Sequence, residues 1–172
     1  MITLIIGGAD SGKSKYAEEL LIGEAGGHDR IYLATMEPVP EASDRISRHV
    51  SRRAGTGFVT VECSRDPGTV MVKQDAFILF EDIPNFVANV MFSAENTSPV
   101  EEVLFSRLDE FIGSYENVYF VTGDIASAGA DYGELTMEYM KVLGHVQQHV
   151  ASRANRVIEV VAGVPSIIKQ GV

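Results

Sequence analysis

The chain has 172 residues, 45% of them hydrophobic and 22% charged, with a formal net charge of −10. Its length suits one domain with a substantial core, and its acidic balance argues against a general nucleic-acid binder, because sequence-independent affinity for phosphate backbones needs positive charge. Cys63 is the single cysteine, which excludes an intramolecular disulfide and points to a reducing compartment. No apolar run reaches transmembrane length and the N-terminus carries no basic leader-like region, so the expected location is cytoplasmic.

The chain opens on Ile2-Thr3-Leu4-Ile5-Ile6, a β-branched apolar run suited to a buried strand. Gly7-Gly8-Ala9-Asp10-Ser11-Gly12-Lys13-Ser14 follows and reads G-x-x-x-x-G-K-S. Lys15 to Leu21 is then a helix former, with Ala17, Leu20 and Leu21 apolar. Strand, glycine-rich turn and helix form a phosphate cradle. Glycines let successive N–H groups curl toward one point, and the helix adds its positive end. Lys13 would reach the β/γ-phosphates and the Ser14 hydroxyl would ligate Mg²⁺. The pattern predicts nucleoside triphosphate binding by a single domain over residues 1–172.

Beyond a break at Gly26-Gly27, Arg30 to Thr35 reads as a second strand, and Met36 to Pro40 as a loop. Glu41 to Arg53 has helical composition and holds the densest basic cluster. Phe58 to Glu62 alternates like a strand, and Asp66-Pro67-Gly68 is a turn or helix start. Ala76 to Phe80 is a continuous apolar run, suited to a strand buried on both faces, and it ends in Glu81-Asp82. Pro84 opens a helix to Phe92, and Pro99 precedes another to about Tyr115. Asn117 to Thr122 is a strand, Gly123 to Gly133 a small, polar, ligand-sized loop, and Thr136 to about Ala154 a helix. Arg156 to Val161 reads as the last strand. Strands alternating with helices predict an α/β P-loop NTPase-type (RecA-like) fold, mostly parallel, with helices on both faces. The P-loop, Thr35, Glu81 and the Gly123–Gly133 loop all follow strands and should share one rim.

Three groups carry candidate chemistry. Glu81, with Asp82 in reserve, sits where a P-loop protein needs a carboxylate for Mg²⁺. Arg45, His49, Arg52 and Arg53 stand at i, i+4 and i, i+3 steps on one helix face. Such a cluster reads either as a solvated basic face or as a nucleophilic imidazole flanked by guanidiniums that stabilise phosphate charge. His145 and His149 form an i, i+4 pair with no third metal ligand beside them in sequence, and are read as structural.

Together these stretches resemble the bifunctional adenosylcobinamide kinase / adenosylcobinamide-phosphate guanylyltransferase family of cobalamin biosynthesis. Gly7-Gly8-Ala9, Ser11 to Ser14 and Ala17-Glu18 look like its P-loop and first helix, and Tyr32-Leu33-Ala34-Thr35 like its Y-I-A-T strand. Arg45-Ile46, His49 and Arg53 resemble its R-I-x-x-H-x-x-x-R segment, followed by the strand-closing Glu62. Leu79-Phe80-Glu81 with Asn89, and Ala162-Gly163-Val164-Pro165 with Lys169, match its acidic motif and its ending. The resemblance implies that His49 takes GMP from GTP and passes it to a phosphorylated cobinamide. It further implies that Lys13 and the P-loop act in both activities, and that ATP and GTP are substrates with Mg²⁺. Nucleotide contacts would come from Gly7 to Ser14, Thr35, Arg45, Arg53, Glu62 and Glu81, metal contacts from Ser14 and Glu81, and the assembly would be a homotrimer.

The chain also departs from the pattern. Asp10 stands where the family's P-loop usually has arginine, and Met137, Met140 and Gln147 replace the two arginines and the asparagine of its later helix. The methionines read as core or interface packing. Two other readings stay open: a nucleotide-binding relative that has lost one or both activities, and a kinase for another small molecule.

Overall fold

The computed structural model describes residues 1–37, 55–93, 99–123 and 133–171. Among them, β1 (Ile2–Gly7), β2 (Arg30–Ala34), β3 (Phe58–Glu62), β4 (Phe77–Glu81), β5 (Asn117–Gly123), β6 (Arg156–Val161) and β7 (Val164–Gln170) form one sheet in the order β3-β2-β4-β5-β1-β6-β7. All pairings are parallel except β6 with β7. The helices are α1 (Lys13–Ala25), α2 (Ile83–Met91), α3 (Val100–Ser114) and α4 (Glu134–Arg153).

Period-two alternation sends each strand's side chains to opposite faces. Leu4, Leu33, Ile78, Phe80, Val118 and Phe120 face α2, α3 and α4, whereas Ile5, Tyr32, Leu79, Tyr119 and Val121 meet Ala17, Leu21 and Ala25 of α1. Both faces are covered, which is why the strands read as unbroken apolar runs. Phe80 is fully buried at the centre of the larger layer, against Phe86 (5.5 Å between ring centroids), Phe111 (5.8 Å) and Phe120 (5.0 Å).

Polar contacts fix how the layers meet. Glu24 pairs with both terminal nitrogens of Arg156 at 2.9 Å and accepts the Tyr119 hydroxyl, linking α1 to β5 and β6. His145 and His149 pin α4 to α3 through different carboxylates, Glu101 (2.7 Å) and Asp109 (2.9 Å). Each ring is taken up in a helix-to-helix contact, the structural role read from sequence. Asp82 caps α2, its side chain accepting from Asn85 N at 2.9 Å. Asp82→Ala is expected to cost about 1 kcal/mol of stability through loss of that cap, read from the urea midpoint.

Two differences from the sequence reading stand out. The sheet does not end at β6, because a tight turn at Ala162-Gly163 returns the chain as the antiparallel edge strand β7. Pro165 is tolerated there, at an edge. Met137, read as core or interface packing, is not in the core of the single chain, where it is 53% exposed. The Glu41–Arg53 helix lies outside the described residues, as does the loop over residues 124–132. No described helix is long and apolar enough to cross a membrane.

Candidate active site

The end of β1 and the start of α1 build the cradle. A Cβ on Gly7 would fall 2.4 Å from Ser11 Oγ and 2.7 Å from Val160 O, so only glycine allows the loop to fold back on β1. Asp10 (φ 53°) and Gly12 (φ 88°) take left-handed conformations on either side of Ser11. Asp10 is one of the non-glycine residues with positive φ, and aspartate tolerates that region better than most side chains. The loop closes through Ser11 N to Gly8 O (3.3 Å), and Gly163 N donates to Ser11 O at 2.8 Å. The β6–β7 turn therefore braces the loop. Lys13 Nζ lies over it, 3.1 Å from Gly8 O.

Two strands from β1, with β5 between, β4 brings Glu81 to the same rim. Ser14 Oγ donates to Glu81 Oε1 at 2.6 Å, while Oε2 is buried with no hydrogen-bond partner among the described residues. Burial pushes the Glu81 carboxyl up to about 7. The Ser14 bond and Lys13 oppose that shift, and the charges of Asp82 and Glu18 add to it. An orphaned, buried carboxylate oxygen beside a serine hydroxyl is a hard-oxygen donor set. It fits Mg²⁺, which binds through one or two protein oxygens plus substrate phosphates.

Glu81 also gives a pH signature. Its folded-state pKa is raised from 4.5 to about 7, so the folded chain holds a proton that the unfolded chain releases between those values. The resulting stability is fully present below 4.5 and is lost as pH rises through 7, on the order of 3 kcal/mol from this group. Nucleotide-free Glu81→Gln is expected to lack that component, and unfolding curves at pH 5 and pH 8 check it.

Thr35, read as a nucleotide contact, is fully buried, and its hydroxyl accepts from Asp82 N (2.7 Å) and lies 2.9 Å from the carbonyls of Glu81 and Asp82. It positions the end of β4. Asn89 does similar work, its side-chain amide donating to Thr35 O (2.7 Å) and Ser64 O (3.1 Å). Glu62 is exposed at the end of edge strand β3, level with Glu81 through Ala34 of β2 and two strands, roughly 10 Å, from it. Arg45, His49 and Arg53 lie outside the described residues.

Two contributors escaped sequence reasoning. Glu18 is 6% exposed on α1, and its charge acts on Glu81. The signal was a glutamate one helical turn after Ser14, on the buried side of α1. The bracing turn at Gly163 showed only as a glycine after a strand. Lys169 does not reach the rim, because its Nζ donates to Ala151 O and Ser152 O at the end of α4.

A parallel sheet with a phosphate loop after its first strand, and a carboxylate held two strands away against the loop's serine, defines a P-loop nucleotide-binding protein. The solved structure of the flagellar accessory protein FlaH from Methanocaldococcus jannaschii shares the fold. It has a TM-score of 0.53 and 12% identity, covering 99% of this chain and 78% of that one. Residues 3–168 match the model of the CobU family, cobinamide kinase / cobinamide phosphate guanyltransferase, and the chain belongs to that family. The bifunctional adenosylcobalamin biosynthesis protein CobU of Salmonella typhimurium is 29% identical, over 98% of this chain and 100% of its own length. The corresponding protein CobP of Pseudomonas aeruginosa is 28% identical over 98% of each chain.

Proposed function

We propose that this chain phosphorylates adenosylcobinamide with a nucleoside triphosphate and then transfers GMP from GTP to the product. Family membership over residues 3–168 carries the reading, and the Lys13–Ser14–Glu81 cluster supports it by supplying phosphate and metal chemistry at one rim. In the first step the acceptor's hydroxyl oxygen bonds to the γ-phosphorus. The bond from that phosphorus to the β-phosphate oxygen breaks, and the hydroxyl proton is released.

Lys13 moves from the Gly8 carbonyl onto the β/γ-phosphates and offsets the charge that gathers on the leaving oxygen. Mg²⁺, when bound, neutralises the same phosphates. Ser14 and Glu81 would hold it, and Thr35 and Asn89 keep the end of β4 in place for that task. Gly7 to Gly12 give the phosphates close access to backbone N–H groups.

In the second step His49 attacks the α-phosphorus of GTP and pyrophosphate leaves, forming a phosphoramidate. An acceptor phosphate oxygen then displaces the histidine, giving the GDP-linked product. Arg45, Arg53 and Glu62 are assigned to the nucleotide in this half. The full proposal is one domain over residues 1–172, a homotrimer, working in the cytoplasm where both nucleotides are supplied.

The test is product analysis after incubating the protein with adenosylcobinamide, ATP, GTP and Mg²⁺. Sequential appearance of the phosphate and GDP forms is expected. Nucleotide turnover with another acceptor alcohol, and none with the corrinoid, would overturn the substrate assignment.

A further inference from the structure

β5 is the strand that separates the P-loop from Glu81, since the sheet runs β4-β5-β1 at this point. Its register carries it past the carboxylate. Phe80 of β4 stands level with Phe120, so Thr122 and Gly123 lie beyond the level of Glu81, and Gly123 is level with Gly7 at the start of the P-loop. The end of β5 therefore borders the space between Lys13 and Ser14 on one side and Glu81 on the other. The terminal phosphate of a nucleotide held by the loop would lie there. A backbone carbonyl aimed into that space would oppose binding, because its oxygen is partly negative and the γ-phosphate is anionic. Gly123 has no Cβ to restrain the rotation of its own peptide group.

One side chain of α4 governs that carbonyl. Gln147 Nε2 donates to Thr122 Oγ1 and to Gly123 O, each at 2.8 Å. A carbonyl oxygen can only accept, so the amide nitrogen must be the atom that faces it. Thr122 is fully buried, and α4 packs with α2 and α3 on the face of the sheet opposite α1. The bond thus draws the Gly123 carbonyl toward that face, away from the helix whose N-terminus closes the phosphate cradle. We propose that Gln147 is a positioning residue for the terminal phosphate: by holding the Gly123 carbonyl against α4, it sets how much more tightly the chain holds a triphosphate than a diphosphate. This rests on nucleotide binding by the P-loop under Proposed function, and assigns the discrimination between triphosphate and spent nucleotide to a residue outside the loop. The α- and β-phosphates, held by the N–H groups of the loop itself, do not depend on it.

The experiment is calorimetric titration of ADP and of its non-hydrolysable triphosphate counterpart AMPPNP, each with Mg²⁺. It is run on the full chain and on Gln147→Leu, Gln147→Met and Thr122→Val. The adenine pair leaves no guanylyl group to transfer. Leucine and methionine keep the bulk at this half-buried position in different shapes, and neither donates a hydrogen bond. In both, the ratio of AMPPNP to ADP affinity is expected to fall about 10-fold, with ADP affinity within about 2-fold of the parent. Thr122→Val removes the other acceptor but leaves the Gly123 bond, and is expected to keep the parent ratio. Equal loss of ADP and AMPPNP affinity in the Gln147 variants would make the contact purely structural. That result, an unchanged ratio in both, or the same fall in Thr122→Val would each overturn the proposal while leaving nucleotide binding standing. A parent chain that binds neither nucleotide would overturn both.

Discussion

Lys13→Ala is expected to lower both nucleotide-dependent activities roughly 10³-fold while leaving the melting temperature nearly unchanged. The side chain opens α1, and among the described residues its hydrogen bond is the 3.1 Å one to Gly8 O, so its removal strips no packed core contact. Its effect is confined to the phosphates. The Lys13 ammonium over the loop opposes the charges of Asp82 and Glu18 at Glu81. Without it, those carboxylates face the nucleotide with less positive charge to offset them. Steady-state turnover and a thermal melt on the same preparation check the two halves. Retained turnover would show that the P-loop lysine is not the phosphate-binding cation.

Phe80→Ala is expected to have the largest effect on stability, about 3–5 kcal/mol, as a lowered denaturant midpoint with little change in slope. Phe80 is fully buried and meets Phe86, Phe111 and Phe120, rings contributed by α2, α3 and β5. Truncation opens a cavity where three elements meet, and the neighbouring rings are themselves fully buried, so little can collapse into it. Phe80 also directly precedes Glu81. Loss of nucleotide affinity should therefore accompany the loss of stability, and a variant such as Phe80→Leu, which keeps most of the volume, should recover much of both.

The fold was legible where burial left a pattern. β1, β4 and β5 are apolar runs because helices cover both faces, and β4 ends where a carboxylate is needed. β7 left no such pattern: all seven of its residues are exposed, and it contains Pro165, which ordinarily argues against a strand. The P-loop was readable to the residue because backbone geometry dictates its glycines. The 2.4 Å approach at Gly7 and the left-handed Gly12 are physical counterparts of that spacing. The hydrogen bonds of Thr35 to the end of β4 were not legible, because position at a strand end does not tell which way a hydroxyl bonds. Glu18 and the Gly163 brace act through contacts distant in sequence, with Glu81 and Ser11, so their roles were not legible although the residues themselves stood in recognisable positions.

The most direct test of the central claim is intact-protein mass spectrometry after incubation with GTP and Mg²⁺, on the parent chain and on His49→Ala. The account predicts a gain of one GMP on the parent, lost on acidification, and none on the variant. A parent chain that binds GTP yet gains no mass, or a variant that gains GMP as readily as the parent, would contradict it.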